Sequence, residues 1–510
     1  MQINVLQYFE SGALARCPDK VAVRDGDRDY TFRDLEQAAK SAAGRIIGRR
    51  DVERQAIAVF LPKGFSTIAA DLGIIYSGNC YMNLDSKSPL PRIRSILEHV
   101  APELVITSRD LLGTVKELGV AEDRVLLVED MTGPGPGPEV LERRREAAID
   151  TDPLCIINTS GSTGVPKSVV MNHRSVIDFM DWAFATLALD GSEVIGSLSP
   201  FYFDIYTLEL WLCLAKGATV VIIPEQLSMF PARLLEFMAA NRVSFIFWVP
   251  TIMVNISNMD LLSKVRLASL EKVWFAGEVF PTRHLNYWRR HLPDARFVNL
   301  YGPIEITVDC VYFPVEREFG DDEEIPIGYP CRNTDILVLA DDNREAGPNE
   351  PGELCVRGSS LAMGYWNDPE RTARSFVQNP LNRHYPETIY RTGDLVRRND
   401  RGELEFIGRR DFQVKHLGYR IELGEIEHAA LGVAGIDNAC VLYDRQRKEI
   451  VLAYQAKNEL PAGALRQELA KFLPKYMLPT VLRHLERLPM NANGKIDRLG
   501  LARDLLGPGP

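Results

Sequence analysis

Glycine and hydroxyl residues crowd one short segment of the chain, residues 159–167 with the sequence TSGSTGVPK. It follows the apolar run 154–157, which is typical of a strand. Glycines let the backbone turn sharply and present N–H groups to an anion. Hydroxyls and the Lys167 ammonium add donors for phosphate oxygens. The segment therefore predicts a phosphate-binding loop, although a flexible Ser/Gly loop has the same composition.

A P-loop NTPase would bind phosphate through a different motif. That motif requires Gly, four further residues, Gly, Lys and then Ser or Thr. Here Pro166 precedes Lys167, and proline has no backbone N–H to offer phosphate. The P-loop interpretation is therefore rejected.

Five further motifs follow the loop in order along the chain. They are NLYGPIE at 299–305, YRTGD at 390–394, GRRDFQVK at 408–415, GYRIELGEIE at 418–427 and NGK at 493–495. Together with the loop they resemble the adenylate-forming superfamily, which includes acyl-CoA and aryl-CoA ligases, luciferases and amino-acid adenylation domains. The resemblance covers nearly the whole chain. It implies that ATP is used to activate a carboxylic acid as an acyl-adenylate.

The resemblance also implies roles for single residues. Tyr301 would stack on adenine, Asn299 would bind the adenine amino group, and Asp394 would accept hydrogen bonds from the ribose hydroxyls. Lys495 would bridge the carboxylate and the α-phosphate, and Glu305 would hold Mg²⁺, a cation that prefers oxygen ligands. The implied catalytic residues are Lys167, Glu305 and Lys495. The implied ATP-binding residues are Thr159, Ser160, Gly161, Ser162, Thr163, Gly164, Lys167, Gly277, Glu278, Asn299, Tyr301, Gly302, Asp394, Arg409 and Lys495.

A second half-reaction and a domain organisation follow from the same resemblance. Asp411 stands at the family's hinge, where the C-terminal domain swings after adenylation so that a phosphopantetheine thiol can attack the adenylate. The expected domains are an AMP-binding core at 1–408 with a β-rich subdomain from about 325 to 408, a hinge at 409–412 and a lid domain at 413–510. Since the chain stops soon after Lys495, the expected acceptor is a separate acyl or peptidyl carrier protein.

Three positions depart from the family pattern. Asn158 stands where an aromatic residue is usual, Ser168 replaces the common Gly after Lys167, and Ile304 replaces the Thr of a Gly-Pro-Thr-Glu motif. The main cation-binding and ribose-binding groups remain, so the chain is still expected to be an enzyme.

Asp204 points to an amino acid as the acid that is activated. It resembles the aspartate with which amino-acid-activating members bind the substrate ammonium, and an apolar pocket wall would not carry a carboxylate without a cation to pair it. The implied substrate pocket consists of Asp204, Ile205, Leu208, Phe247, Trp274, Ala276, Leu300, Val308 and Asp309.

The expected substrate is a small L-amino acid: serine, alanine, glycine or proline. Phe247 and Trp274 fill volume, and Asp309 could accept a hydrogen bond from a hydroxyl or pair with a cationic side chain. The segment 275–280 resembles D-alanine–carrier protein ligases, but Ala276 replaces their usual Cys. An acyl-CoA ligase of the same superfamily and a non-catalytic carrier-protein-binding module remain as alternatives.

Alternating elements must position these residues. Apolar strands that alternate with helices indicate a largely parallel sheet, and shorter strands with Gly/Pro turns after about residue 325 indicate an antiparallel sheet or small barrel. The predicted class is α/β, with stacked mixed sheets in a large N-terminal domain, a small β-barrel-like subdomain and a small mobile α+β C-terminal domain. Predicted helices are 65–76, 231–241, 425–431 and 464–472; predicted strands are 56–61, 104–107, 154–157, 220–224, 244–248, 273–276, 335–339, 352–357, 403–407, 438–443 and 450–455; 132–138 is a predicted loop.

Composition limits the other classes. The 510 residues exceed one ordinary domain, and a net charge of −10 argues against nucleic acid as the main partner. No apolar run is long enough to span a membrane and no signal peptide is visible, which leads us to expect a cytoplasmic protein. The eight cysteines show no zinc or redox spacing and are expected to be buried free thiols.

Overall fold

The computed structural model describes residues 2–133, 135, 137–161, 166–410, 413–490 and 496–507, without the side chain of Leu499. The chain forms two compact units. The first comprises residues 1–86, 101–157 and 169–410, and the second comprises residues 87–100, 158–168 and 411–510. The predicted hinge residue Asp411 lies outside the described residues.

A nine-stranded sheet carries three of the predicted pocket residues, Phe247, Trp274 and Leu300. Its six central strands are parallel and both of its edges are antiparallel. In spatial order its strands are Tyr329–Pro330, Val311–Pro314, Arg296–Tyr301, Lys272–Phe275, Phe245–Trp248, Val194–Ser197, Thr219–Ile222, Val21–Asp25 and Arg28–Thr31.

A seven-stranded sheet contains the two strands that flank the phosphate loop. The strand Ala56–Phe60 is buried at every residue, as its sequence AIAVF and central place in a parallel sheet require. In spatial order the strands are Gly364–Tyr365, Lys167–Asn172, Pro153–Thr159, Cys80–Asn83, Ala56–Phe60, Leu104–Thr107 and Val125–Leu127.

A five-stranded antiparallel sheet forms the β-rich part of the first unit. Its buried side chains, among them Ile336, Leu354 and Tyr390, share one hydrophobic cluster with Tyr301. The strands are Thr334–Leu339, Gly352–Gly358, Thr388–Arg398, Phe376–Gln378 and Leu404–Arg409.

Helices of the first unit begin at recognisable signals. Thr31 and Asp34 form a capping box at the start of Phe32–Arg49, and Pro138, Pro231 and Pro250 each open a helix. The α-helices are Leu6–Tyr8, Phe32–Arg49, Phe65–Tyr76, Leu112–Glu117, Pro138–Ala147, His173–Thr186, Ile205–Lys216, Pro231–Ala240, Pro250–Asn258, Thr282–His291 and Pro369–Ser375. A π-helix spans Phe9–Leu14, and 3₁₀ turns span Arg109–Leu111, Glu122–Arg124, Val128–Asp130, Glu225–Met229 and Ile304–Ile306.

The second unit has its own core, formed by residues such as Ile426, Leu452 and Leu469. Its strands form a hairpin, Gln413–His416 with Tyr419–Glu422, and a three-stranded sheet, Asn438–Asp444, Glu449–Gln455 and Val481–Leu485. Its helices are Leu90–Val100, Leu423–Leu431, Ala462–Leu469, the 3₁₀ turn Lys475–Met477 and Arg498–Leu506.

The predicted α/β class with several sheets is confirmed, and the helix Phe65–Tyr76 has the predicted bounds. Several other predicted bounds differ from the structure by one to three residues. The loop predicted at 132–138 gives way to a helix at Pro138, and the helix predicted at 464–472 spans Ala462–Leu469.

The eight cysteines are free as expected, with Cys17 only half-buried and the rest buried. Across the described part of the chain, no helix has the length and hydropathy needed to cross a membrane.

Candidate active site

Three predicted ATP-binding residues meet in the first unit. Arg409 Nη1 donates to Asp394 Oδ1 at 2.5 Å, and the Tyr301 hydroxyl donates to Asp394 Oδ2. All three side chains are buried, and Arg409 also donates to the backbone carbonyl of Thr392. Asp394 is therefore a buried, fixed carboxylate whose charge is balanced by a guanidinium.

Strand pairing explains this meeting. Asp394 and Arg409 are directly opposite in the antiparallel pair Thr388–Arg398 and Leu404–Arg409. Opposite charges in such a pair attract. Tyr301 ends the strand Arg296–Tyr301, and its burial beside Asp394 raises the pKa of its hydroxyl well above the ordinary value.

Asn299 lies two residues before Tyr301 on the same strand. Its Nδ2 donates to the backbone carbonyl of Pro326 at 2.9 Å. That bond fixes the side-chain amide so that Oδ1 is the group left to accept a hydrogen bond. An acceptor is what the predicted contact with the adenine amino group requires.

Gly302 begins a tight connection to the next strand, Val311–Pro314. A Cβ on Gly302 would lie 2.5 Å from Asp309 Cα and 2.5 Å from the Val308 carbonyl oxygen, so only glycine fits there. The connection carries Glu305, which is fully buried and whose Oε1 accepts a hydrogen bond from the Tyr365 hydroxyl at 2.9 Å.

Backbone strain is concentrated in the same connection. Thr307 has φ = 60° and Val308 has φ = 62°, which is unfavourable for β-branched residues. The Thr307 hydroxyl oxygen is buried and lacks a hydrogen-bond partner among the described residues. Strain of this kind persists only where the surroundings enforce it, and it clusters at functional sites.

The predicted Mg²⁺ site can be tested against the chemistry of Glu305. Within the described residues, no group of three or more His, Cys, Asp or Glu could hold a metal ion. Mg²⁺ commonly takes one or two carboxylates together with substrate phosphates, so a single carboxylate is enough. Glu305 fits this role because it is a fully buried carboxylate, and carboxylate oxygens are ligands that Mg²⁺ prefers.

The apolar residues of the predicted substrate pocket belong to one hydrophobic cluster of the first unit. Phe247 lies opposite Trp274 on paired strands, and their rings make an edge contact at 6.1 Å. The members of that cluster are Ile205, Leu208, Phe247, Trp274, Ala276, Leu300 and Val308. Asp309 is also buried, with 3% of its surface exposed.

Asp204 stands at the N-terminus of the helix Ile205–Lys216. Its backbone carbonyl accepts from Thr207 N at 2.9 Å, and its side chain is half-buried. Ile205 and Leu208 of the same helix lie in the apolar cluster, so the structure puts a carboxylate next to an otherwise apolar set of side chains.

Gly277 and Glu278 follow the strand Lys272–Phe275. Gly277 has φ = 89°, a conformation that favours glycine. Glu278 Oε2 accepts hydrogen bonds from the backbone N–H and the hydroxyl of Thr251, at 3.0 and 2.5 Å. The two residues thus form a fixed turn, and their predicted contact with ATP stays a prediction.

The described part of the phosphate loop lies in the second unit, where its donors bind acidic residues. Lys167 Nζ is 2.6 Å from Glu422 Oε1, and Gly161 N donates to Glu425 Oε2 at 3.2 Å. The Ser160 hydroxyl donates to the Arg420 carbonyl and accepts from Glu422 N. The groups predicted to bind phosphate oxygens therefore bind carboxylate and carbonyl oxygens in this conformation.

Two of the residues that depart from the family pattern, Asn158 and Ser168, lie at the ends of this loop and are hydrogen-bonded to each other. Ser168 Oγ donates to Asn158 Oδ1 at 2.7 Å. Asn158 is the last residue but one of the strand Pro153–Thr159, and Ser168 is the second residue of the strand Lys167–Asn172, so their bond joins the two strands at the base of the loop. The third departure, Ile304, is buried in the main hydrophobic cluster. An aliphatic side chain suits that environment.

Sequence reasoning missed Tyr365, Glu422 and Glu425 as partners of predicted site residues. The motif at 418–427 contains both glutamates, and the loop at 159–167 contains a single lysine. Their opposite charges were a signal from which this contact could have been predicted. Several predicted residues lie outside the described residues, namely Ser162, Thr163, Gly164, Asp411 and Lys495.

Comparisons with known proteins agree over nearly the whole chain. The family described as AMP-binding enzyme matches residues 9–366. A mycosubtilin synthase polypeptide of Bacillus subtilis is 34% identical over 515 residues, covering 98% of this chain but only 19% of that protein, so the chain spans under a fifth of its length. An L-proline--[L-prolyl-carrier protein] ligase of Pseudomonas fluorescens is 31% identical over 510 residues, covering 97% and 98% of the two chains.

A solved structure extends the likeness to three dimensions. Holo-PA1221, an NRPS protein containing adenylation and PCP domains bound to a vinylsulfonamide inhibitor, has 25% sequence identity and a TM-score of 0.82. The match covers 99% of this chain and 84% of that one. The likeness therefore includes both compact units of this chain.

Proposed function

The chain belongs to the AMP-binding enzyme family and is of the nonribosomal peptide synthetase adenylation type, and from this premise we propose that it activates a small amino acid with ATP. The thiol of the phosphopantetheine on a separate carrier protein then attacks the aminoacyl-AMP, so that a thioester forms and AMP leaves. The proposal depends most on Asp204, a carboxylate that heads a helix whose next residues join an apolar cluster. A carboxylate at that place can form charge-assisted hydrogen bonds to the ammonium of an amino acid.

Adenylation is an in-line attack of the substrate carboxylate on the α-phosphate of ATP, with pyrophosphate as the leaving group. The protein contributes positioning and charge neutralisation. Asp394 accepts hydrogen bonds from the ribose hydroxyls, and the Asn299 Oδ1 accepts one from the adenine amino group. Arg409 pairs with the Asp394 carboxylate and holds it in place.

Phosphate charge is neutralised by Lys167 and by the N–H and hydroxyl groups of the phosphate loop. Their present binding of Glu422 and Glu425 supports this, because it demonstrates an affinity for anionic oxygens. Glu305 would hold Mg²⁺, and the cation would supply positive charge to balance the phosphates. Lys495 stabilises the charge that develops between the carboxylate and the α-phosphate.

A small substrate side chain is favoured by the bulk of the pocket. Phe247 and Trp274 are almost wholly buried and occupy the space beside Ala276. The carrier-protein acceptor is supported by the relative named as a prolyl-carrier protein ligase, which this chain matches over nearly all of its length. Asp309 then suits a substrate hydroxyl, as in serine.

ATP–pyrophosphate exchange with each of the twenty amino acids tests the proposal. We expect strong exchange with one or a few small amino acids and little with large or acidic ones. Asp204→Ala should lower that exchange at least about a hundredfold, since it leaves a buried ammonium unpaired. Asp190→Ala, which removes an exposed aspartate of the same unit, is the matched control and should leave exchange unchanged. Exchange confined to large or acidic amino acids would refute the proposed substrate.

The acceptor is tested by mass spectrometry. The enzyme is incubated with ATP, the preferred amino acid and either a phosphopantetheinylated carrier protein or coenzyme A. We expect the mass of the aminoacyl group to appear on the carrier protein. Loading of coenzyme A alone would identify an acyl-CoA ligase instead.

A further inference from the structure

A buried polar cluster lies outside the motifs, in the first unit. Asp71, on the helix Phe65–Tyr76, is completely buried, and Asn83 and Tyr206 are nearly so. Asn83 Nδ2 donates to Asp71 Oδ2 at 2.9 Å, and the Tyr206 hydroxyl donates to the same oxygen at 2.8 Å. One carboxylate oxygen thus ties together a helix, the strand Cys80–Asn83 and the helix Ile205–Lys216.

The cluster also contacts residues 201–206, the turn that contains Asp204. Asn83 Nδ2 donates to the backbone carbonyl of Phe201 at 3.3 Å, three residues before Asp204. The Phe201 ring stacks on the Tyr206 ring with centroids 4.1 Å apart. Tyr206 itself is two residues after Asp204, so the turn is held on both sides of this carboxylate.

The turn has a regular internal pattern. Phe203 N donates to the Pro200 carbonyl at 3.1 Å, and Tyr206 N donates to the Phe203 carbonyl at 3.2 Å. Lys63 Nζ lies 5.4 Å from the centre of the Phe201 ring and covers it from another side. A shift of Phe201 or Tyr206 would therefore move Asp204 with it.

The Cys155 thiol is influenced by the charges of both Asp71 and Asp204. Burial is the main reason that the pKa of the Cys155 thiol is raised, and the charges of Asp71 and Asp204 both raise it further. An acid buried among neutral donors is costly, and apolar residues of similar volume would pack this core at least as well. Stability alone does not account for the cluster.

We propose that Asp71, Asn83 and Tyr206 are positioning residues, which fix the direction in which Asp204 presents its carboxylate to the ammonium of the amino-acid substrate. This inference rests on the proposed function. The three residues touch no substrate themselves and act through the Phe201–Tyr206 turn. They therefore control the affinity for the amino acid and leave the affinity for ATP unchanged.

Tyr206→Phe is the first test, because it removes one hydroxyl and keeps the stacked ring. In pyrophosphate exchange we expect KM for the amino acid to rise about tenfold, with KM for ATP changed less than about twofold. Tyr8→Phe is the matched control: Tyr8 is another buried tyrosine of the same hydrophobic cluster, and its hydroxyl donates to Asp181. Tyr8→Phe should lower thermal stability about as much as Tyr206→Phe does, but it should leave both KM values unchanged.

Asp71 gives a rescue test. Asp71→Leu removes the acceptor and should reproduce the rise in the amino-acid KM. Asp71→Asn keeps an acceptor oxygen for Asn83 and Tyr206 and should restore KM to within about twofold of the wild type.

The outcomes separate this inference from the proposed function. If the wild-type protein shows no amino-acid-dependent exchange, both are overturned. If the wild type exchanges an amino acid but Tyr206→Phe and Asp71→Leu leave its KM unchanged, only the positioning role is overturned. The same holds if the two variants raise both KM values alike, or if Tyr8→Phe raises the amino-acid KM as much as Tyr206→Phe does.

Discussion

Two buried carboxylates of the first unit, Asp394 and Asp71, each lie beside a tyrosine hydroxyl, but they differ in whether a cation is paired with them. Each accepts a hydrogen bond from a buried tyrosine, Tyr301 for Asp394 and Tyr206 for Asp71. The second partner differs: Asp394 pairs with the Arg409 guanidinium, whereas Asp71 has only the neutral amide of Asn83.

The difference in partners sets the charge of each group. A guanidinium stabilises an ionised carboxylate. Burial without a cation raises the pKa of Asp71 to about 7, although the hydrogen bonds from Asn83 and Tyr206 counteract it. The paired carboxylate suits the binding of substrate hydroxyls, and the unpaired one suits the fixing of neighbouring backbone. We therefore propose that the region around Asp394 is a binding site and that the region around Asp71 is a support.

Asp394→Ala should give the largest effect. It removes the proposed acceptor for the ribose hydroxyls and breaks the buried ion pair with Arg409. We expect kcat/KM for ATP to fall about a thousandfold and the free energy of unfolding to fall by about 3 kcal/mol. Pyrophosphate exchange and thermal denaturation measure the two quantities. A variant with wild-type KM for ATP would show that Asp394 is structural only, like Asp71.

The next largest difference between Asp394 and Asp71 is expected in how the free energy of unfolding depends on pH. An unfolded aspartate loses its proton near its ordinary pKa of 3.8, whereas native Asp71 keeps it up to a pKa of about 7. The stabilising contribution of Asp71 is thus fully present below pH 4 and is lost as the pH rises through 7. Asp71→Asn does not titrate, so between pH 5 and pH 8 it should gain about 2 kcal/mol over the wild type.

Asp260→Asn is the control for this titration. Asp260 is exposed, and hydrogen bonds from Ser263 and Tyr287 lower its pKa. Its substitution should therefore bring no gain in stability as the pH rises. Parallel pH curves for the wild type and Asp71→Asn would contradict the electrostatic difference between Asp71 and a paired carboxylate.

Tyr301→Phe compares the two tyrosines directly. The change removes the hydroxyl that donates to Asp394 and keeps the ring. We expect KM for ATP to rise about fivefold, less than for Asp394→Ala because Arg409 still holds the carboxylate. KM for the amino acid should stay constant, which is the reverse of the pattern expected for Tyr206→Phe. Equal effects of both variants on both substrates would mean that the two regions are not separate.

The same contrast explains what the sequence could predict. Asp394 and Tyr301 lie in short motifs that resemble those of the adenylate-forming superfamily, so the sequence predicts both. One strand register then places Arg409 opposite Asp394. Asp71 has no such motif. It sits in a run of apolar helix residues, and its partners Asn83 and Tyr206 are 12 and 135 residues away. Only the packing of that helix against a strand and a second helix brings them together.

Asn158 and Ser168 extend the comparison to the phosphate loop, since the sequence marks each as a departure and only the structure makes them a pair. Their bond joins two neutral groups, so we expect it to support the loop without binding substrate. A double-mutant cycle of Asn158→Ala and Ser168→Gly should give a coupling energy of about 0.5 kcal/mol in unfolding, and KM for ATP should change less than about twofold. Ser168→Gly also restores the usual family residue. A change of tenfold or more in KM for ATP in that variant would mean that the Ser168 hydroxyl contacts the nucleotide. A neutral pair would then bind substrate at this loop, which is the role that the comparison assigns to charged groups.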